Sequence, residues 1–176
     1  MATENPGRVP PSGNAATLVA PHPERLILAI TRVPGSTKAC AVRGDAEMFA
    51  ALAEYYALVA TATATAGGRV IKCMGDAVLL TFPANQVRAA VSALRNMQEA
   101  ADALWRRFGA QCHVQLKVSN GVVMCGMLGA PGEERFDIIG GALNALIKAP
   151  WGDFDLSPEV VALLQAVRRR RKEDHS

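Results

Sequence analysis

A chain of 176 residues, half of them apolar, is long enough for one domain with a core of ordinary size. Its net charge of +3 is too small to single out a polyanionic partner, and no aromatic residues interleave with the basic ones as nucleic-acid recognition would need. No apolar run reaches the ~18 residues of a membrane span, and residues 1–24 lack the basic end and apolar stretch of a signal peptide.

Residues 1–24 are rich in Pro, Gly, Ala, Thr and Asn and read as a flexible tail. Order is expected from Arg25, with 26–30 a buried central strand ended by a turn at 34–37. Residues 45–66 read as a helix whose inward face is Phe49, Leu52, Tyr56 and Val59, stopped by Gly67-Gly68. Two short strands, 69–74 and 77–82, flank Gly75-Asp76, a pair suited to a tight hairpin turn. Residues 84–108 form the clearest helix, with Val87, Val91, Leu94, Ala101, Leu104 and Phe108 as its apolar stripe. Strands are expected at 114–118 and 121–127, broken by Ser119-Asn120, and at 136–139. A helix at 141–148 is closed off by Pro150. Ser157 caps a last helix, with Pro158 at its first position and 160–167 as its body. The basic run 168–172 belongs to a solvated tail, 168–176, with an anionic surface as the alternative reading. The order strand, helix, strand, strand, helix, strand makes one α+β domain at 25–167. It is ferredoxin-like (βαββαβ), with helices packed on one face of a mainly antiparallel sheet.

The four cysteines, Cys40, Cys73, Cys112 and Cys125, are spread too widely for a CxxC metal knuckle or redox pair. Cys73 and Cys125 have apolar neighbours and read as buried thiols, and a reducing cytoplasm is the simplest setting. His113, Trp105 and Trp151 read as structural residues. Asp76 lies in the hairpin turn with Lys72 four residues earlier, and Asn144 and Lys148 are four apart on one helix face. A turn carboxylate, an edge-strand lysine and the polar side of a helix account for these residues equally well. Spacing alone names no ligand.

Taken together, residues 67–82 and 137–148 resemble the nucleotide-binding signatures of the class III adenylyl/guanylyl cyclase catalytic domain, and the resemblance extends over 25–167. It implies the nucleotidyl cyclase type of ferredoxin-like core, with an active site built between two domains. One domain supplies a metal-binding pair of Asp residues; the other supplies base-selecting and transition-state groups. Asp76 matches the second metal Asp. Lys72 and Asp137 match the adenine-selecting pair, Asn144 the catalytic Asn, and Lys148 the position of the transition-state Arg. Gly35 and Thr37 match the turn after the first strand, and residues 119–126 the hairpin ahead of the Asp137 segment.

Three departures bear on activity. Arg32 stands at the first metal position, and no carboxylate lies between Glu24 and Asp45 to replace it. Mg²⁺ near a triphosphate calls for hard oxygen ligands, so Arg32 either repels the ions or stands in for one as a fixed charge. Lys148 keeps a positive charge without the planar fork of Arg, a loss worth roughly 10²–10³ in rate. Finally, no strand is seen after Val167 to carry the family's triphosphate-binding Lys, for which residues 168–172 are the available substitute. The resemblance therefore implies a degenerate cyclase domain of cyclic-nucleotide signalling, weak or inactive alone. It would act as partner or regulatory subunit in a homodimer or a heterodimer with another cyclase domain. Two alternatives stand beside it. One is an active adenylate cyclase that converts ATP to cyclic AMP and diphosphate with Mg²⁺ or Mn²⁺. The other is a nucleotide-binding sensor that does no chemistry and needs no cofactor.

Overall fold

The structure, a computed structural model, describes residues 20–109 and 113–173. Most of the segment read as a flexible tail, together with Cys112 and the last three residues, lies outside the described residues. Eleven elements and one 3₁₀ turn follow in order: β1 (His22–Arg32), α1 (Ser36–Arg43), α2 (Asp45–Thr65), β2 (Arg69–Met74), β3 (Ala77–Pro83), the 3₁₀ turn Ala84–Gln86, α3 (Val87–Arg107), β4 (Gln115–Leu128), β5 (Arg135–Ile139), α4 (Gly141–Lys148), β6 (Phe154–Leu156) and α5 (Pro158–Glu173). Strands β1 to β5 pair antiparallel in the order β2-β3-β1-β4-β5, and β6 pairs parallel to β4. This is the mixed, mainly antiparallel architecture expected from the sequence. Among the described residues, no helix is long and apolar enough to cross a membrane.

β1 is the spine. It pairs with β3 on one side and β4 on the other, so residues Leu26 to Thr31 are buried on both faces. Strand alternation sends Ile27, Ala29 and Val33 into a large core with α2, α3 and α5, and Leu26, Leu28 and Ile30 into a second core on the opposite face. The second core is capped by Leu143 and Leu146 of α4, so the helices are not confined to one face as expected. Gly121 explains how α4 comes so close: a Cβ there would lie 2.3 Å from the Ala142 Cβ.

Several expectations are corrected. β1 begins at His22, inside the segment read as a tail, because residues 22–25 pair with 122–125 of β4. β4 is unbroken through Ser119-Asn120, since β1 pairs along its whole length and holds both residues in register; the turn of the hairpin falls between β4 and β5 instead. The turn expected at 34–37 opens into α1, a helix whose only buried residue is Ser36 and which therefore carries no apolar stripe to read. The helix expected from residue 84 starts with the 3₁₀ turn. In α2 the inward face is Met48, Ala51, Tyr55, Val59 and Thr63: Val59 is buried as predicted, but Met48, Ala51 and Tyr55 take the places expected of their neighbours, Leu52 and Tyr56 are only partly buried, and Phe49 is 77% exposed. The phase is set by Tyr55, whose hydroxyl donates to Thr31 Oγ1 at 2.7 Å and whose ring meets the buried Trp105 edge-on. Cys125 is buried, but Cys73 is exposed near the end of edge strand β2. β6 has three residues, too few for a periodic signal. α5 continues in helical backbone through the basic run to Glu173, so that run is not a separate tail.

The sheet is strongly curled. β2 and β5 stand at opposite ends of the strand order, yet Lys72 of β2 meets Asp137 of β5, and Arg69 of β2 lies 4.3 Å over the Phe136 ring. A register shift between Val70 and Lys72 supplies a local bend in β2, as bulges do. The second core fills the concavity.

The Gly121 contact gives a test. Gly121→Ala forces the β4–α4 interface apart and is expected to lower stability by about 1–3 kcal/mol, read as a drop in the urea midpoint at unchanged m-value.

Candidate functional site

The end of β1 and the β2–β3 hairpin form one node. Thr31 is buried, and its Oγ1 accepts from the Tyr55 hydroxyl and from the Val78 N–H at 3.1 Å. Gly75 takes φ +62° in the two-residue turn, and its carbonyl accepts from the Tyr56 hydroxyl. Asp76, next in the turn, accepts the Val33 N–H at its Oδ2 at 2.9 Å. The carboxylate is thereby held against the end of β1, where the sequence placed a metal site.

Arg32 does not complete such a site. Its Nε donates to Gln115 Oε1 at 2.8 Å, and its guanidinium lies 4.4 Å over the Trp151 ring. No ion pair joins Arg32 to Asp76. The same indole carries a second cation: Lys117 Nζ lies 4.1 Å from the ring and donates to the carbonyls of Ile147 at 2.9 Å and Ala149 at 2.8 Å. Lys117 is 1% exposed, and no carboxylate lies within ion-pair reach among the described residues. Burial, then the charge of Arg32, push its ammonium below the usual lysine value, with Asp155 pulling the other way. Trp151 is thus a platform for two cations as well as a packing residue. Sequence reasoning passed over Gln115 and Lys117. The available signal was a lysine at an inward position of a strand, between Leu116 and Val118.

The base-selecting pair expected from the resemblance does come together. Lys72 Nζ donates to Asp137 Oδ2 at 2.5 Å, and Asp137 Oδ1 accepts the Ile138 N–H at 2.7 Å. Both side chains line a cleft of about 700 Å³ between the sheet edges, walled by Ile71, Leu128, Arg135 and Phe136. Asn144 and Lys148 are exposed on the outer side of α4, above the buried Leu143 and Leu146. No hydrogen bond or ion pair links either of them to Lys72, Asp137 or Asp76. One chain therefore assembles the Lys72–Asp137 pair but makes no hydrogen bond or ion pair from it to Asn144, Lys148 or Asp76.

His113, read as structural, ties α3 to the segment before β6 by pairing with Asp102 and Asp153. Burial lowers its pKa, but the Asp153 hydrogen bond and the charges of both carboxylates outweigh this and hold it above 6.5.

No family model matches the chain, and no curated protein sequence matches it. Solved structures do. The adenylyl cyclase CyaB from P. aeruginosa superposes with a TM-score of 0.77 at 21% identity, over 85% of this chain and 84% of that one. The chain has the class III nucleotidyl cyclase fold. The guanylate cyclase domain of RhGC from Catenaria anguillulae, solved with GTP, gives 0.71 at 14% identity, over 83% and 84% of the two chains. The dimeric guanylyl cyclase domain of RhoGC from Blastocladiella emersonii gives 0.69 at 13% identity, over 84% and 86%. At these identities the likeness is one of fold. The cyclase fold here brings Lys72 and Asp137 together across its curled sheet and has Arg32, fastened to Gln115, at the end of β1.

The His113 bridge predicts a pH dependence. Because its pKa is raised above 6.5 in the folded chain, its contribution to stability is complete below about pH 6.5 and is lost as pH rises through the folded value. Urea midpoints measured from pH 5.5 to 8.5 should fall across that window in the wild type (a range of about three units around the reference pKa). The decline should flatten in His113→Gln.

Proposed function

We propose that this chain is a cyclase-fold partner domain that carries the adenine-selecting half of a shared nucleotide site and lacks the metal-binding half. The observation that carries the reading is the contrast between two pairs. Lys72 and Asp137 touch, whereas Arg32 is fastened to Gln115 and Trp151, leaving Asp76 as a lone carboxylate.

The residues around Asp76 do not fit a Mg²⁺ or Mn²⁺ pair. The one carboxylate is already hydrogen-bonded to the N–H of Val33, which follows on from Arg32 at the end of β1, and no group of three metal-ligating side chains includes Asp76 among the described residues. No catalytic step is therefore routed through a metal held by this chain. Its own residues do something else. Lys72 offers a donor and Asp137 an acceptor side by side, the complement of the N1 acceptor and N6 amino donor of an adenine edge. The pair satisfies itself when no base is bound and exchanges that contact for the base. Asn144 and Lys148 face outward from α4, positioned to act on a nucleotide held between this chain and a second domain. Lys148 would supply charge at the phosphates, with less directional grip than Arg. The second domain, another cyclase domain or a second copy of this chain, would close the site, and only one with its own carboxylates could hold the metals. In the shared site the chemistry would be attack of the ribose 3′-hydroxyl on the α-phosphorus, which breaks the bond to the bridging oxygen and releases diphosphate and the hydroxyl proton, driven by positioning and charge stabilisation.

The purified chain, assayed with ATP and either Mg²⁺ or Mn²⁺, is expected to form no cyclic AMP. It is expected to bind a non-hydrolysable ATP analogue, with Lys72→Ala weakening that binding at least ~10-fold, about 1.4 kcal/mol. Added to a cyclase domain that has both metal carboxylates but lacks its own catalytic Asn and Arg, it should restore cyclic AMP formation, and its Lys72→Ala form should not. Turnover by the chain alone that Asp76→Ala abolishes would replace this reading with an active adenylate cyclase. Analogue binding without any restoration would replace it with a nucleotide sensor.

A further inference from the structure

The opposite end of β1 from Arg32, about 30 Å along the strand, gathers a second set of chemically capable side chains. His22 sits directly across from Cys125 of β4, and Glu24 lies two residues further along β1. All three project from the sheet face that carries Leu26, Leu28 and Val123. Their donor atoms, His22 Nε2, a Glu24 carboxylate oxygen and Cys125 Sγ, all lie within 4.8 Å of one another. We propose that these three residues form a binding site for a borderline-soft divalent cation of the Zn²⁺ type.

Four observations support the assignment. The first is spacing. Tetrahedral Zn²⁺ with bonds of about 2.0–2.3 Å puts its ligand atoms about 3.3–3.8 Å apart, and His22 Nε2 lies 3.6 Å from Glu24 Oε2. The second is the histidine tautomer. His22 Nδ1 lies 2.9 Å from the Ala20 carbonyl, which can only accept, so Nδ1 carries the proton in the neutral ring and the Nε2 lone pair faces the cluster. A backbone carbonyl on the far nitrogen is the usual partner of a metal-bound imidazole. The third is rigidity. Pro21 and Pro23 flank His22, and Gly126 lets Pro21 approach β4: a Cβ on Gly126 would stand 3.3 Å from the Pro21 Cα. The fourth is charge. One thiolate, one carboxylate and a neutral imidazole balance a 2+ ion, and N, O and S donors together select Zn²⁺ over Mg²⁺ or Ca²⁺.

Without a metal, burial first, then the Glu24 charge and hydrogen bond, push the Cys125 thiol up, while Arg69 pulls it down. Metal binding breaks the S–H bond, forms the S–metal bond and releases the proton to solvent. Glu24 is exposed, so the fourth coordination position opens to water. The bound ion would pin the first residues of β1 to β4, at the point where residues 1–19 enter the domain.

Cobalt(II) reports on all of this. Titrated into the full reduced chain, Co²⁺ is expected to give visible d–d bands of a four-coordinate ion and a near-ultraviolet thiolate charge-transfer band, both removed by added Zn²⁺. About one proton should leave per ion bound near neutral pH. Cys125→Ser should abolish the charge-transfer band, and His22→Ala should abolish tight binding. A Cys40→Ser/Cys73→Ser/Cys112→Ser variant should retain the full spectrum. A wild-type chain with no such band, a band that survives Cys125→Ser, or one lost in the triple variant would overturn the proposal. Should Cys125→Ser unfold by circular dichroism, the half-exposed His22→Ala decides alone: unchanged Co²⁺ binding in the folded His22→Ala protein sinks the site.

Discussion

The curl of the sheet is the constraint on which the other features rest. In a flat sheet of this strand order, the two edge strands would be separated by the width of three others, and Lys72 could not reach Asp137. What bends the sheet is not that ion pair, whose members are partly exposed and which adds little stability by itself. The bend follows from the apolar residues of the concave face, Leu26, Leu28, Ile30, Leu79, Val123 and Ile138, which lose contact with water only if the edges rise around them. Arg69 on Phe136 and Lys72 on Asp137 then close the rim. The cleft is therefore a by-product of burying the second core, and its polar rim is placed by apolar packing beneath.

The two faces of β1 are dedicated to different tasks. On one, Thr31 joins Tyr55 of α2 to the Val78 backbone of β3 and fixes where the strand stops. On the other, one residue later, Arg32 runs to Gln115 and the Trp151 indole. A carboxylate at the same place would point to the same face, where Trp151 and the buried Lys117 now stand. The setting of Arg32 is thus more than a single contact. Gln115, Trp151 and Lys117 together form a polar-aromatic seat that suits a guanidinium.

The fold was legible wherever periodicity and punctuation agreed. The Gly75-Asp76 hairpin, the limits of α4 and the stripe of α3 could be read because each rests on local rules. The face of α2 could not, because its phase depends on the Tyr55–Thr31 bond between residues far apart in sequence. Nor could the course of β4 through Ser119-Asn120, where pairing to β1 along its full length overrides two polar residues that locally favour a break. Of the site, Lys72, Asp137 and Asp76 were singled out by the resemblance and not by their spacing, and their different situations were not visible in the sequence. That no acid lies between Glu24 and Asp45 could be read from the chain directly. The seat of Arg32 was invisible, since Gln115, Lys117 and Trp151 belong to segments that only the β1–β4 register and the turn after α4 bring together.

The grip of Lys117 on the carbonyls of Ile147 and Ala149 has a consequence for substitutions at two positions. Those two residues bracket Lys148, so the ammonium that shares an indole with Arg32 also ends the helix carrying the outward-facing cation. Positions 32 and 148 are therefore mechanically linked through Trp151 and Lys117, and substitutions at them are not additive. A carboxylate introduced at 32 would meet a seat shaped for a guanidinium. It would draw Lys117 toward a new partner and slacken the end of α4 that must hold the second cation. The seat on β1 thus reaches the far end of α4 through one buried ammonium.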